Sequence, residues 1–409
     1  MGISIDKISR QSLIFFSLMA MLIGLFASRA LLSASMIFFT VVCCLHKNFG
    51  WQLKSFFNQT ILAGIALLFF IPFISGLWSD NKIEWLDLVR IKLPLLFSSV
   101  AFAGSWQLSK KQWLQLALVF LILIFLGATW SLWQYLQNIQ AMQAAYLKAK
   151  TLPTPLENDH VRFSWLVCMA VIVSVYLIEE IKLKTPRFLL AFLFVFFVVY
   201  LHILSARTGL IGLYIFAALF IIRWLFSKKS RKSAFVLLLL FLLMPVTAWF
   251  FFPTFQNRIR YIVYDFSYIK KDAYLQGAND GNRVLSLKAG WNILQKNPLG
   301  VGAGDVFTET KKWYAAHVPG MIEEDKIYPS SEWLIYGGAA GWTGLILFTV
   351  VMFFPVFERE NNFYWLSVNT IAAFSFLFDI GLEVQFGVFI YLFTILCWWK
   401  WMQEETSSA

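Results

Sequence analysis

Long uninterrupted apolar runs constrain the fold of this 409-residue chain more than any other feature. A helix needs about twenty residues to cross roughly 30 Å of hydrocarbon. About twelve runs approach or exceed that length, at approximately 11–27, 30–46, 60–78, 89–105, 112–133, 163–180, 187–204, 208–226, 233–252, 332–355, 362–379 and 384–401. Inside a bilayer each backbone N–H and C=O must find its partner within the protein, so such runs fold as helices. The expected fold is an all-α polytopic membrane protein with about 12 transmembrane helices. Composition excludes the alternatives. The chain is 59% hydrophobic and 14% charged, against about 45–50% and about 25% in a soluble domain, and it has the make-up of neither a disordered chain, a collagen nor a disulfide scaffold.

Three segments follow: residues 1–252 with the first nine spans, a large and mostly helical loop at 253–331, and residues 332–409 with the last three spans and a short tail. The basic start, Lys7 and Arg10, runs into a hydrophobic hairpin that continues as spans, so no cleavable signal peptide is expected. Orientation follows from Lys and Arg in the short loops. With the N-terminus in the cytoplasm, the cytoplasmic segments hold 16 basic residues and the opposite short loops 8, the remaining 10 of 34 lying in the long loop. Both termini are therefore placed in the cytoplasm. The net charge of +11 is then mainly a consequence of topology, with Ser227-Lys-Lys-Ser-Arg-Lys232 reading as an anchor at anionic headgroups. The implied partner is the lipid bilayer, not nucleic acid. Cys43, Cys44, Cys168 and Cys397 fall inside predicted spans at no metal-ligand spacing, and read as apolar packing.

Polar chemistry concentrates in two extracytoplasmic segments. The first ends in Asn158-Asp159-His160-Val-Arg162. The second, 253–331, is too long for a structureless loop. Within it Asn282 to Leu294 predicts an amphipathic helix, with Val284, Leu287, Trp291 and Leu294 on one face, Asn282 as cap and Pro298 as terminator. The glycines of Pro298-Leu-Gly300-Val-Gly302-Ala-Gly304-Asp305 read as a tight turn, with backbone contacts to a lipid-linked phosphate as the alternative. They lack the Gly-Lys-Ser/Thr ending of a nucleotide loop. Arg207 lies between two strongly apolar spans at the extracytoplasmic edge. There an arginine either marks a functional site or snorkels to water, and residue physics alone weighs these equally. Asp379 and Glu383, on the same side, read as counter-charges for arginines, as acceptor-binding carboxylates, or as a solvated turn. The small residues of Gly337-Gly-Ala-Ala-Gly341-Trp-Thr-Gly344 read as close helix packing.

The order of these motifs resembles the O-antigen ligase-like membrane protein family, which also includes polysaccharide polymerases and protein O-oligosaccharyltransferases. The matching elements are Ser205-Ala-Arg207-Thr-Gly209, a long loop bearing Arg283 and Trp291, the Pro-Leu-Gly-Val-Gly-Ala-Gly turn, and a Pro-x-x-Glu-x-Leu entry at Pro329 into a Gly-rich span. Together they cover roughly Asp159 to Phe386. The resemblance implies a GT-C-like architecture and metal-independent glycosyl transfer, without cofactor, on the periplasmic face of the bacterial inner membrane. The implied donor is a glycan on undecaprenyl diphosphate, and the acceptor is a sugar hydroxyl of lipid A–core or of another glycan. It further implies that Arg207 and Arg283 engage the diphosphate leaving group, with Arg162 assisting and Asp379 and Glu383 as further binding residues. Guanidinium groups suit that task because they stay charged and grip phosphate oxygens in pairs.

One departure bears on mechanism. Where ligases of the family carry His-Asn before the Gly-rich span, with the histidine proposed as base, this chain has Ser330-Ser331. Serine cannot act as a general base near neutral pH. The replacement candidates are His160, Glu332 and His317, unless leaving-group stabilisation dominates. A repeat-unit polymerase and a protein O-oligosaccharyltransferase remain alternatives within the same donor class, and a lipid-linked glycan flippase or solute transporter is the alternative of another class. Transporters place ionisable groups near the midplane and often show internal repeats. Here the charges gather at one edge and no repeat is evident.

Overall fold

The computed structural model describes residues 5–148, 150–181, 183–226, 231–269, 274–358 and 362–408. Among them the secondary structure is helical throughout, without strands. α1 (Ile5–Ala27) and α2 (Arg29–Cys44) form a hairpin turned at Ser28, whose hydroxyl caps α2 through Leu31 N. α3 (Phe49–Asn58) turns away from α2 by 106°. α4 (Thr60–Ser75) packs on α5 (Lys82–Phe102), and α6 (Lys110–Gln137) opens with a Ser109–Gln112 capping box. After the short α7 (Ile139–Tyr146), α8 (His160–Glu180) runs through the middle of the bundle against α9 (Lys184–Leu204) and α10 (Arg207–Phe226). α11 (Arg231–Phe251) is followed, across a 96° bend, by α12 (Pro253–Ile269). α13 (Asp280–Lys296) and α14 (Val306–His317) complete a helical cap, and α15 (Glu332–Glu358), α16 (Phe363–Phe376) and α17 (Gln385–Ser408) return to the bundle.

Seven of these helices are long and apolar enough to cross a membrane, and the two bent pairs raise the number to nine among the described residues. A helix covers each of the twelve apolar runs, but the count of twelve spans is not reached. α5 carries five charged residues, Lys82, Glu84, Asp87, Arg90 and Lys92, and α16 has only 14 residues. Large hydrophobic side chains such as Phe188, Leu189, Leu239 and Phe250 remain exposed on the outer helices, as expected of a lipid-facing surface. Of the basic residues used for orientation, Lys182, Lys228, Lys229 and Arg359 lie outside the described residues. Cys43, Cys168 and Cys397 are buried and Cys44 half-buried, all unpaired.

α15 is broken near its start. Ala340 and Gly341 leave helical geometry, Gly341 with φ 66° and ψ −153°, a conformation open essentially to glycine alone. The turn Pro298–Gly304 fills the break. Val301 N donates to Gly338 O (2.8 Å), Gly302 N to Ala339 O (3.0 Å), and Trp342 N to Pro298 O (3.1 Å). These bonds satisfy backbone groups that a broken helix in hydrocarbon would leave bare. The glycines serve close backbone approach: a Cβ on Gly300 would collide with the α15 backbone, and one on Gly302 with Ser79. Asp305 then accepts from Asp80 N (2.6 Å) and Asn81 N (3.0 Å), fixing the cap to the start of α5. The small residues of the Gly-rich span thus serve two purposes: Gly337 and Gly338 face Leu294, Ile293 and Val306 of α13 and α14, as helix packing predicts, and Gly341 admits the loop.

Candidate active site beneath the cap

The ends of α9 and α16 and the starts of α8, α10, α15 and α17 meet beneath the cap. Ser205 ends α9 in the left-handed region, φ 50°, so α10 starts afresh with Arg207 as its first residue. Both terminal nitrogens of Arg207 grip the Asp280 carboxylate in a fork. Asp280 opens α13, two residues earlier than the cap expected at Asn282. Its N-terminus is capped from α12 instead: Asp265 accepts from Asp280 N (2.7 Å) and Gly281 N (3.2 Å). A carboxylate there answers both the unpaired N–H groups and the helix dipole.

Arg283 follows on the same helix and donates to Phe378 O (3.1 Å). Burial draws its pKa below the usual guanidinium value, and the Asp379 carboxylate opposes that shift. Arg207, Asp280, Arg283, Thr208, Ser330 and Phe378 line one cavity of about 280 Å³. Val284 and Leu287, expected on the packed face of α13, line it as well. The packed face consists instead of Ser286, Ala289, Gly290, Ile293 and Leu294, with Gly290 admitting Pro329, and Trp291 is left exposed. Ser286 Oγ accepts from Ser330 N (3.0 Å), which fixes the segment standing in for His-Asn against α13.

Arg162 lies beside this cavity rather than in it. Asp159 caps α8 through Arg162 N (3.1 Å), and the Arg162 side chain pairs with Asp379 (3.2 Å) and donates to Ile380 O (3.2 Å). Thr208 and Ser375 line both the arginine cavity and the small one at Arg162 and Asp379. Asp379 is therefore the counter-charge of Arg162. Glu383 sits deeper, joined to Lys92 of α5 at 2.6 Å with both side chains buried. Glu332, fully buried, accepts from Leu382 N (2.5 Å), and its second oxygen and that of Glu383 have no partner among the described residues. Two carboxylates and one ammonium thus hold the 3-10 turn Gly381–Glu383, next to the residues that bind Arg162.

The histidines are not gathered there. His160 opens α8 next to its cap but does not line the arginine cavity. His317 ends α14, stacked on Trp313 at 4.5 Å, and lines a different cavity. The structure adds groups that the sequence reading did not select: Asp280, Lys92 and Arg258. Arg258 of α12 is 6% exposed with two guanidinium nitrogens unpartnered among the described residues, and Arg207 and Asp280 are among the charges acting on it. Its one signal, an arginine in a helix-forming stretch, does not separate it from Arg260 nearby. Most of the buried, unpartnered polar atoms belong to this region, on Arg162, Arg207, Arg258, Asn282, Glu332 and Glu383. Such atoms are rare in folded proteins. Among the described residues no three His, Cys, Asp or Glu side chains are grouped to hold a metal ion.

Residues 192–349, from α9 to the middle of α15, match the family model described as O-antigen ligase. No curated protein matches the chain. The matched segment contains Arg207, Asp280, Arg283, Ser330 and Glu332, while Arg162, Asp379, Glu383 and Lys92 reach the site from outside it.

Proposed function

We propose, from the match of residues 192–349 to the O-antigen ligase family model, that the chain moves a glycan from undecaprenyl diphosphate to a lipid A–core sugar hydroxyl. The reaction takes place on the periplasmic face of the inner membrane, with both termini of the chain in the cytoplasm. The single observation that carries this reading is the cavity in which Arg207 of α10 and Arg283 of α13 converge. In the transfer the acceptor oxygen attacks the anomeric carbon, the carbon–phosphate-oxygen bond breaks, and undecaprenyl diphosphate leaves with the electron pair. Negative charge grows on the diphosphate as that bond breaks, so fixed guanidinium groups favour the transition state over the bound substrate. They supply without a metal the counter-charge that the leaving group needs.

The acceptor proton needs a destination. Asp280 supports that role better than His160, Glu332 or His317, because it alone of the four lines the cavity. Its carboxylate is held by Arg207 in the absence of substrate. Transfer of that guanidinium to the diphosphate frees the carboxylate to accept the proton. A repeat-unit polymerase uses the same chemistry with another lipid-linked glycan as acceptor, and Ser330 in place of histidine keeps it as the second reading. A strain lacking the gene separates the two. Lipid A–core without glycan, together with accumulated lipid-linked polymer, is expected for a ligase. Lipid A–core capped by a single repeat would overturn the ligase reading in favour of a polymerase.

A further inference from the structure

A second cavity, of about 510 Å³, is larger than the arginine site. It lies in the cap, on α12, α13 and α14, and is lined by Tyr268, Tyr274, Trp313 and His317 together with Asn282 and Lys288. Leu275, Leu285, Val318 and the Asp265 carboxylate are also part of the lining. Aromatic rings present flat apolar faces bordered by polar tips, while amide and ammonium groups offer directional hydrogen bonds. Trp313 and His317 form a parallel stack at 4.5 Å and 11°. Tyr274 is braced through its hydroxyl by Asp325, and Tyr268 by its contact with Tyr264. Asn282 is 5% exposed and its Oδ1 has no partner among the described residues. A concave site with rigid aromatic walls and a few placed polar groups suits a ligand with both C–H faces and hydroxyls.

A pyranose ring has that surface: one face of axial C–H bonds to lie on an aromatic ring, and an equatorial belt of hydroxyls. An acyl chain would leave the buried Asn282 Oδ1 unanswered. A second phosphate would meet only the one ammonium, whereas the arginines are grouped around the other cavity. Position agrees with composition. Val284 lines both cavities, so they flank the same turn of α13. A glycan whose anomeric carbon sits at Arg207 and Arg283 has its next sugars at this second cavity.

We propose that the cavity between α12, α13 and α14 is a saccharide subsite that holds the first sugars of the transferred glycan, and that Trp313, Tyr274 and Asn282 select them. The inference rests on the glycan-transfer reading, and its test is separable from it. The full chain is purified in lauryldimethylamine oxide, a detergent without sugar. The probe is the oligosaccharide released by mild acid from the producing cell's own lipid-linked glycan pool, which carries no phosphate and no lipid. Saturation-transfer NMR and tryptophan fluorescence should report saturable binding, weakened at least tenfold by Trp313→Ala and by Tyr274→Ala. Trp313→Phe should retain most of it, and His317→Ala, at an exposed position that leaves the packing of the cap intact, should weaken it without loss of thermal stability. No binding by the wild-type chain would overturn the proposal, as would binding unchanged in folded Trp313→Ala and His317→Ala proteins. Saccharide binding by a chain that performs no transfer would support the subsite and count against the transfer reading. Transfer by a chain that binds no saccharide would do the reverse.

Discussion

Arg207 and Arg283 are arginines for a geometric reason. Arg207 presents paired donors from the start of α10 to the Asp280 carboxylate and Arg283 reaches the Phe378 carbonyl from α13, whereas a lysine offers a point charge on a flexible stem. Arg207→Lys keeps the charge but loses the fork on Asp280, and glycan transfer should fall by about 100-fold or more, the range for loss of one transition-state donor. Protein abundance in the membrane, measured on the same preparations, should stay unchanged. Asp280→Asn should lower transfer while leaving donor binding intact, since it removes the proton acceptor and frees Arg207 for phosphate. Equal loss of donor binding and transfer would assign Asp280 to orienting Arg207 alone. Lys92 is a different case. Its ammonium pairs with the buried Glu383 carboxylate, near the buried Glu332. Lys92→Met leaves buried charge uncompensated and should destabilise the fold by about 3–5 kcal/mol. Thermal unfolding in detergent measures this, and Lys92→Met combined with Glu383→Leu should recover much of the loss.

The junction of the Pro298–Gly304 turn with broken α15 decides whether the cap is held over the site. Gly341 has φ 66° and ψ −153°, and a Cβ there would meet the Pro298 carbonyl. Gly341→Ala should therefore cost about 1–3 kcal/mol in backbone strain alone, with the collision in addition. Transfer should fall together with thermal stability, in contrast to Arg207→Lys. The glycine run is legible in sequence as a tight turn, because Gly-x-Gly-x-Gly after proline has few other uses. Its partner is not. Gly337 to Gly344 has the small-residue spacing of helix packing, and only the three-dimensional path shows a loop hydrogen-bonding into the helix. The same limit applied to α13. Its existence follows from apolar spacing, but its start at Asp280 depends on a cap from Asp265, fifteen residues away and on another helix.

At the level of the whole chain the apolar runs gave the helical bundle directly, since hydrocarbon leaves a backbone no other option. Among the described residues seven to nine helices are long and apolar enough to span, while α5 combines an apolar second half with five charges and α16 is short. Arg207 was legible as a costly charge at a membrane edge, and Arg283 and Arg162 through the family resemblance. Asp280, Lys92 and Arg258 were not, because their roles come from partners distant in sequence. Orientation is testable by labelling. Glu324→Cys in the cap should react with a membrane-impermeant maleimide in spheroplasts, and Lys47→Cys only after lysis, against the background of the native cysteines. Both positions are exposed.

The central claim is that fixed arginines beneath the cap drive glycosyl transfer from a lipid diphosphate. Reconstitution of the purified chain in liposomes with undecaprenyl-diphosphate glycan and lipid A–core measures it with no other protein present and no ion gradient. The account predicts glycosylated lipid A–core from the wild-type chain, and about 100-fold less or none from Arg207→Lys and Arg283→Lys. Undiminished transfer by both folded variants, or movement of the glycan across the bilayer with no bond formed, would contradict it.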